Sequence, residues 1–165
     1  MWTILKFDKK KIDFLKRDFQ EKLGKDCIIY TPKILVKKYR QSTVISKEIS
    51  LLGDYLFCYH KNFRNPNIIN QLKFVRGLKY FLEGFLISQN EIQNFVNKCK
   101  ELENTKGYIT QNIFEIIEDK KYKFLSGPFT DQIFKIMQMQ KNKINILIGN
   151  LKTRINKKEF LFYPV

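Results

Sequence analysis

The polar stretch Glu101-Leu102-Glu103-Asn104-Thr105-Lys106-Gly107 most constrains the fold, because it closes a helical pattern and precedes a different kind of sequence. About a hundred residues lie before it and about fifty after it. A tail of that size is viable only as a small barrel or as an appendage docked on something larger. No repeat, Gly/Ser linker or low-complexity tract offers a second boundary. The expected division is therefore 1–103, a linker over 104–118, and 119–165.

Within the first part, Trp2 to Phe7 is a short run of β-branched and aromatic residues and reads as a strand. A helix follows from about Lys9 to Leu23, stopped by Gly24, with Ile12, Leu15, Phe19 and Leu23 on its buried face. Phe14 falls on the opposite side, near Lys10, Arg17 and Glu21. Two readings of it stand: a ring that stacks on a base or packs on a partner, and a lone exposed ring. Cys27 to Tyr30 is a strand ending at Pro32, and Ile34–Tyr39 with Thr43–Ser50 suggests a hairpin carrying Lys33, Lys37, Lys38 and Arg40. Leu51 to Tyr59 is a turn feeding an apolar strand. Asn65 caps a short helix that has Pro66 at its first position. Lys73 to Leu82 reads as a strand broken at Arg76-Gly77. Ser88 and Glu91 form a capping box for a helix whose inner face holds Ile92, Phe95, Val96, Cys99 and Leu102. The expected class is α+β, helices flanking a mostly antiparallel sheet, with a small β-barrel behind it.

The chain has 165 residues and a net charge of +15, from 31 Lys and Arg against 16 Asp and Glu. Lys and Arg on a surface release counterions when they meet phosphates, so a nucleic-acid partner is one reading. The other is drift in composition: lysine far outnumbers arginine, Asn and Ile are abundant, and alanine is absent, as an AT-rich genome would write. Residues 65–110 are nearly neutral, and the basic excess lies toward both ends.

Three dispersed cysteines, Cys27, Cys58 and Cys99, fit reduced thiols in a cytoplasmic protein and give no zinc-ligand spacing. The start of the chain lacks the apolar stretch of a signal peptide, and no apolar run approaches the roughly 20 residues of a membrane span. His60 is the only histidine and has no triad pattern around it. No phosphate-cradling glycine loop or paired carboxylate motif is present. Binding without catalysis, metal or cofactor is the expectation.

The order of several short patterns resembles the NusG family of transcription elongation factors. Trp2 matches the aromatic residue of the family's first strand, and Tyr30-Thr31-Pro32 its strand ending in a proline segment. Leu52-Gly53-Asp54-Tyr55-Leu56-Phe57 keeps the Tyr and Leu-Phe of a signature turn but loses its Phe-Pro. Phe74-Val75-Arg76-Gly77-Leu78-Lys79-Tyr80-Phe81 is similar to a segment in which an Arg-Gly turn precedes an aromatic. In the tail, Gly127-Pro128-Phe129 looks like the opening of a KOW domain, without the glycine that usually follows. That loss, with Thr3 and the altered signature turn, leans toward a specialised paralog of the RfaH type.

The resemblance implies an N-terminal NGN domain that sits on RNA polymerase across the DNA channel and suppresses pausing or termination as an antitermination factor. Its hydrophobic patch would bind the β′ clamp helices, with another part reaching the β subunit. Tyr55, Phe57 and Phe81 match that patch, with Trp2 as a support from the neighbouring strand, and ordinary core is the competing reading of the same residues. In some paralogs the same domain would also touch the nontemplate DNA strand; Arg76 matches a basic position in the Arg-Gly turn, and Lys10, Lys11 and Arg17 lie on or near the first helix, with Asp18 and Glu21 among them. The KOW domain would recruit Rho or a small-subunit ribosomal protein, and the factor would act as a monomer. In RfaH-type tails the last domain can be a helical hairpin; here residues 133–139 read as helix as readily as strand, 142–149 lean toward strand, and the short strand–turn pattern favours the barrel. A KOW-containing ribosomal or RNA-binding protein is the competing function.

Overall fold

The computed structural model describes residues 1–40, 43–110 and 112–165, and the side chains at 37–40, 43 and 44 lie outside the described residues. It divides into two compact units, one of Met1–Pro32 with Ser50–Glu101 and one of Lys33–Ile49 with Leu102–Val165. The class is mixed α and β, with antiparallel sheets in both units.

In the first unit the strands β1 (Trp2–Phe7), β2 (Ile28–Tyr30), β5 (Tyr55–Tyr59) and β6 (Leu78–Phe81) form one sheet in the order β2-β5-β1-β6. Two further strands, β3 (Lys33–Arg40) and β4 (Thr43–Ser50), make the expected hairpin, whose cationic tip at Lys37, Lys38 and Arg40 lies outside the described side chains. All pairings in the four-stranded sheet are antiparallel, with Ile4 opposite Phe57 and Leu5 opposite both Leu56 and Phe81.

Side chains alternate across β1, so this sheet has two covered faces. Leu5 and Phe7 join Leu56, Cys58 and Phe63 beneath α1 (Ile12–Leu23) and α2 (Pro66–Leu72), which contribute Leu15, Phe19 and Leu72. Trp2 and Ile4 point the other way, to meet Phe57 and α3 (Gln89–Glu101) through Ile92 and Val96. Each fully buried Leu or Phe in these layers contributes about 1.5–3 kcal/mol of transfer free energy.

Local chemistry sets the ends of these elements. Gly24 stops α1 at φ +80°, its N–H donating to the Gln20 carbonyl at 2.9 Å. The Asn65 side chain accepts from the Asn67 N–H ahead of Pro66, as the sequence pattern predicts. Three differences from the sequence reading appear. The first turn after Asp8 is 3₁₀ rather than α, over Lys9–Lys11. Residues 73–77 turn instead of extending, leaving Phe74 91% exposed. The last helix ends at Glu101, one residue before Leu102.

Gly77 makes the turn before β6 feasible. Its φ is +85°, and a Cβ there would lie 2.8 Å from the Lys11 carbonyl oxygen. Only glycine allows so close a backbone approach in that conformation. The Gly77 carbonyl in turn accepts from the Asp8 N–H at 2.8 Å, fixing the turn against the start of the first helix.

In the second unit, β7 (Lys121–Phe124), β8 (Ile133–Met139), β9 (Lys143–Ile148), β10 (Leu151–Asn156) and β11 (Phe162–Pro164) form an antiparallel sheet in the order β10-β9-β8-β7-β11. Residues 143–148 form a strand, as their β-propensity predicts, and residues 133–139, which read either way in the sequence, form a strand as well. The inward positions Tyr122, Phe124, Phe134, Ile136, Ile144, Ile146, Ile155 and Phe162 form its core. The β3–β4 hairpin belongs to this unit. Lys33 bridges Tyr108 in parallel, the Ile109 N–H donates to the Lys33 carbonyl at 2.8 Å, and the Tyr108 hydroxyl donates to Glu48 at 3.1 Å.

Candidate docking groove

On the α3 side of the first sheet, strands and helix do not close completely over one another. A groove of about 420 Å³ remains, floored by Ile4, Leu52, Phe57, Ile92 and Phe95 and walled by Leu82 and Phe85 of the segment between β6 and α3. Two carboxylates, Glu83 and Glu91, line it as well. An apolar floor with acidic groups at its margin stands out in a chain of net charge +15. The segment beside the groove is itself apolar at the surface, with Leu86 and Ile87 58% and 89% exposed.

Trp2 holds the helix that forms one wall. Its backbone N–H donates to Gln89 Oε1 at 2.9 Å and its indole Nε1 donates to Gln93 Oε1 at 2.7 Å. Gln89 returns Nε2 to the Trp2 carbonyl at 2.7 Å and also reaches the Phe85 carbonyl. One amide thus ties β1, α3 and the groove wall together. The Trp2 ring packs edge-on to Phe57, and Lys100 lies 5.7 Å over its face. Trp2 is buried, so its place is behind the groove rather than at its surface. Sequence reasoning missed Gln89 and Gln93; their i, i+4 spacing on α3 is the signal that puts both on the strand-facing side.

Tyr55 continues the face of Phe57 beyond the groove. Its hydroxyl lies 3.0 Å from that of Tyr80, and Lys6 Nζ sits over both rings at 5.2 and 5.8 Å. Asp54 approaches Lys6 at 3.8 Å and Lys79 at 3.9 Å. Asp54, with the two tyrosines, holds Lys6 above the ordinary lysine value. The hydrogen bond with Tyr55 raises Tyr80, since ionisation removes the proton that the pair shares.

The structure therefore brings Trp2, Phe57 and Tyr55 onto one face but places Phe81 on the other. Phe81 packs with the α1-side core, its ring centroid 6.4 Å from both Phe19 and Phe63. Tyr80 occupies the position beside Tyr55 instead.

Arg17 of α1 and Arg76 of the turn before β6 form a separate cluster around Asp18. Arg76 donates through Nε and Nη2 to the two carboxylate oxygens of Asp18 at 2.9 and 2.6 Å. That fork holds the Asp18 carboxyl below its usual range, hydrogen bonding from Arg76 being the largest cause. Arg17 lies within 4.0 Å of both Asp18 and Glu21. The two guanidiniums also flank the Phe14 ring, at 5.3 Å for Arg17 and 5.0 Å for Arg76. Phe14 is thus a platform for arginines, 44% exposed. Lys10 and Lys11 sit apart from this network on the exposed 3₁₀ turn.

Gly127-Pro128-Phe129 forms the turn between β7 and β8. Gly127 has φ +86°, and a Cβ there would meet the Phe160 ring at 2.5 Å. Phe129 packs on Phe124 and Phe160. The three cysteines are free thiols, no cluster of metal-ligating side chains occurs among the described residues, and no helix among them is long and apolar enough to cross a membrane.

These features describe two compact units, the first of which carries an apolar groove. No family model matches the sequence, and no curated protein does either. Among solved structures, the chain is similar to one from the crystal structure of the MjSpt4:Spt5 complex in conformation B, at 15% identity and a TM-score of 0.33, covering 100% of this chain and 98% of that one. It is also similar to Thermotoga maritima NusG, from a study of its domain interaction, at 13% identity and a TM-score of 0.37, covering 94% and 91%.

Proposed function

We propose that this chain is a transcription elongation factor of the NusG type, which docks on RNA polymerase through the groove between its first sheet and α3. The observation that carries the reading is the groove itself, an apolar cleft between Phe57, Phe85 and Phe95 with Glu83 and Glu91 at its margin. A cleft of that form suits an amphipathic helix with basic flanks. The ordered motifs from Trp2 through Gly127-Pro128-Phe129 supply the family, and with it the occupant: the coiled-coil clamp helices of β′. On this reading residues 1–103 act as the NGN-like part and 119–165 as a KOW-like part, joined by 104–118. The factor spans the DNA channel, restrains the clamp and suppresses pausing or termination, without covalent chemistry. The departures at Thr3, at Leu52 to Asp54 and after Phe129 favour an operon-dedicated paralog of the RfaH type. The nontemplate strand and either Rho or a ribosomal protein are its further partners.

Surface immobilisation of core RNA polymerase gives the test. The expected result is specific binding by the full chain, at least tenfold weaker for Phe85→Ala, together with shortened pauses in single-round transcription. Absence of binding by the folded wild-type chain refutes the proposal.

The outer face of the second sheet favours the RNA-binding reading as a second possibility. Arg154 Nε donates to Asn145 Oδ1 at 3.0 Å, and Asn145 Nδ2 donates to Gln138 Oε1 at 3.2 Å, a polar ladder across β10, β9 and β8 with Lys152 beside it. Amides and a guanidinium in a row suit base edges and phosphates. On this reading the chain binds structured RNA with a steep salt dependence and shows no affinity for polymerase.

A further inference from the structure

Two of the three thiols lie side by side inside the first unit. Cys27 Sγ and Cys58 Sγ are 3.4 Å apart, at the edge of the core beneath α1. The strand register explains their meeting. Cys58 pairs with Ile29 across β5 and β2, and Cys27 stands two residues before Ile29, so both side chains point to the same face. A disulfide needs a sulfur separation of about 2.05 Å, so the atoms must approach by roughly 1.4 Å. Cys27 lies outside β2, at the end of the turn that follows Gly24, with its N–H donating to the Gly24 carbonyl at 3.3 Å.

From this geometry we infer that Cys27 and Cys58 are a reversible dithiol–disulfide site, closed by a small peroxide and reopened by a dithiol reductant. Cys27 is the attacking residue. It is the more accessible of the two, at 8% exposure against 0% for Cys58. The hydrogen bond between the two sulfurs favours the ionised form of Cys27, and burial disfavours ionisation of Cys58.

The chemistry balances without any group the protein lacks. The Cys27 thiolate attacks one peroxide oxygen, the O–O bond breaks, and a sulfenic acid and hydroxide form; the hydroxide takes up the proton that Cys27 released. Cys58 Sγ then attacks the sulfenic sulfur, the S–O bond breaks, and water leaves with the Cys58 proton. Two thiols and one peroxide become one disulfide and two waters, the two electrons passing from sulfur to oxygen.

The position of the link gives it a consequence. It joins the residue just before β2 to β5 and closes residues 28–57 into a covalent loop. That loop contains Lys33–Ile49, the excursion that belongs to the second unit. Oxidation therefore pins the outgoing and returning legs of the excursion to each other, and β5 also carries Tyr55 and Phe57.

The test uses the full chain, treated with hydrogen peroxide under native conditions, quenched, unfolded, alkylated with iodoacetamide and read by intact mass and peptide mapping. The expected product has lost two hydrogens, takes up one alkyl group instead of three, and yields one linked peptide pair joining Cys27 to Cys58. Dithiothreitol restores all three thiols, and Cys99→Ser still forms the link. Cys58→Ser stops at a sulfenic acid on Cys27 that dimedone captures. The oxidised chain unfolds at a temperature higher by on the order of 5 °C. Three alkylatable thiols after peroxide, a link through Cys99, or oxidation of Cys27 that runs on to sulfinic acid in the wild type each overturn the proposal. A link that forms but lowers the unfolding temperature overturns the pinning.

Discussion

Tyr55 and Tyr80 meet hydroxyl to hydroxyl at 3.0 Å across β1, with the Lys6 side chain between their strands. The two tyrosines and Phe57 share a face, and the next residue, Phe81, must therefore turn into the core beneath α1. This phase relation separates two side chains that are adjacent in sequence and predicts different fates for them.

Phe81→Ala removes a ring packed on Phe19 and Phe63 and should cost about 2–4 kcal/mol of stability in urea unfolding. Tyr80→Ala should cost less than about 1 kcal/mol, because the side chain is 46% exposed. If polymerase binding is then compared for the two folded variants, only Tyr80→Ala should reduce it. Equal stability losses would show that the faces are assigned wrongly.

The Asp18 carboxyl is held below its usual range by Arg76, so this interaction stabilises the fold above the unfolded carboxylate value of about 3.9 and is lost as pH falls through the lower folded value. Wild-type stability should thus drop more steeply below pH of about 4 than that of Asp18→Asn. Circular dichroism melts at a series of acidic pH values measure this; parallel curves for the two proteins would contradict it. Arg76→Lys should not rescue Arg76→Ala fully, since the ammonium cannot reproduce the two-pronged fork.

Gly77→Ala forces a side chain into positive φ and against the Lys11 carbonyl. The expected loss is roughly 1–3 kcal/mol or more, measured as a fall in the denaturant midpoint at unchanged slope. Gly84→Ala, at φ +80° but with open space around the new methyl, should cost less and so separates strain from collision.

Trp2 is the only tryptophan, and its burial between β5 and α3 makes it a reporter for that face. Native emission should be blue-shifted and should move red when α3 detaches. Gln93→Ala leaves the indole N–H without its partner and should cost about 1 kcal/mol, with the emission maximum still blue. A native spectrum already at the position of free tryptophan would rule out the buried placement.

Charge reversal at the groove margin addresses the partner's sign. Glu83→Lys combined with Glu91→Lys should slow association with polymerase and flatten its salt dependence, while leaving the fold intact. Faster association would mean that the occupant is acidic.

Much of this architecture was legible from local pattern. The stop at Gly24 and the cap at Asn65 rest on interactions within a few residues, and the extent of β1 shows in its own apolar run, so the sequence carries all three. The phase of β6 was not legible. Its pairing with β1 shifts register between Lys6 and Phe7, so alternation alone could not tell which of Tyr80 and Phe81 joins the face of Tyr55. The membership of the hairpin was also hidden, because it depends on Lys33 meeting Tyr108, residues 75 positions apart. The groove was half legible. Phe57 and Ile92 stand out as apolar positions, but the cleft exists only because Phe85 and Leu82 stop short of covering them.

The discontinuous second unit has a bearing on how the chain comes off the ribosome. The hairpin is made early, yet Tyr108 and Ile109, which fasten its first strand, follow some sixty residues after it ends, and the sheet it accompanies is completed only with β11. Throughout that interval Ile34 and Val36, each 1% exposed in the finished protein, have no finished unit to enter. The first sheet can assemble as soon as β6 emerges. A nascent chain halted near residue 103 would thus carry a folded first unit with a sticky, unfastened arm, the species on which a chaperone or a premature self-association would act.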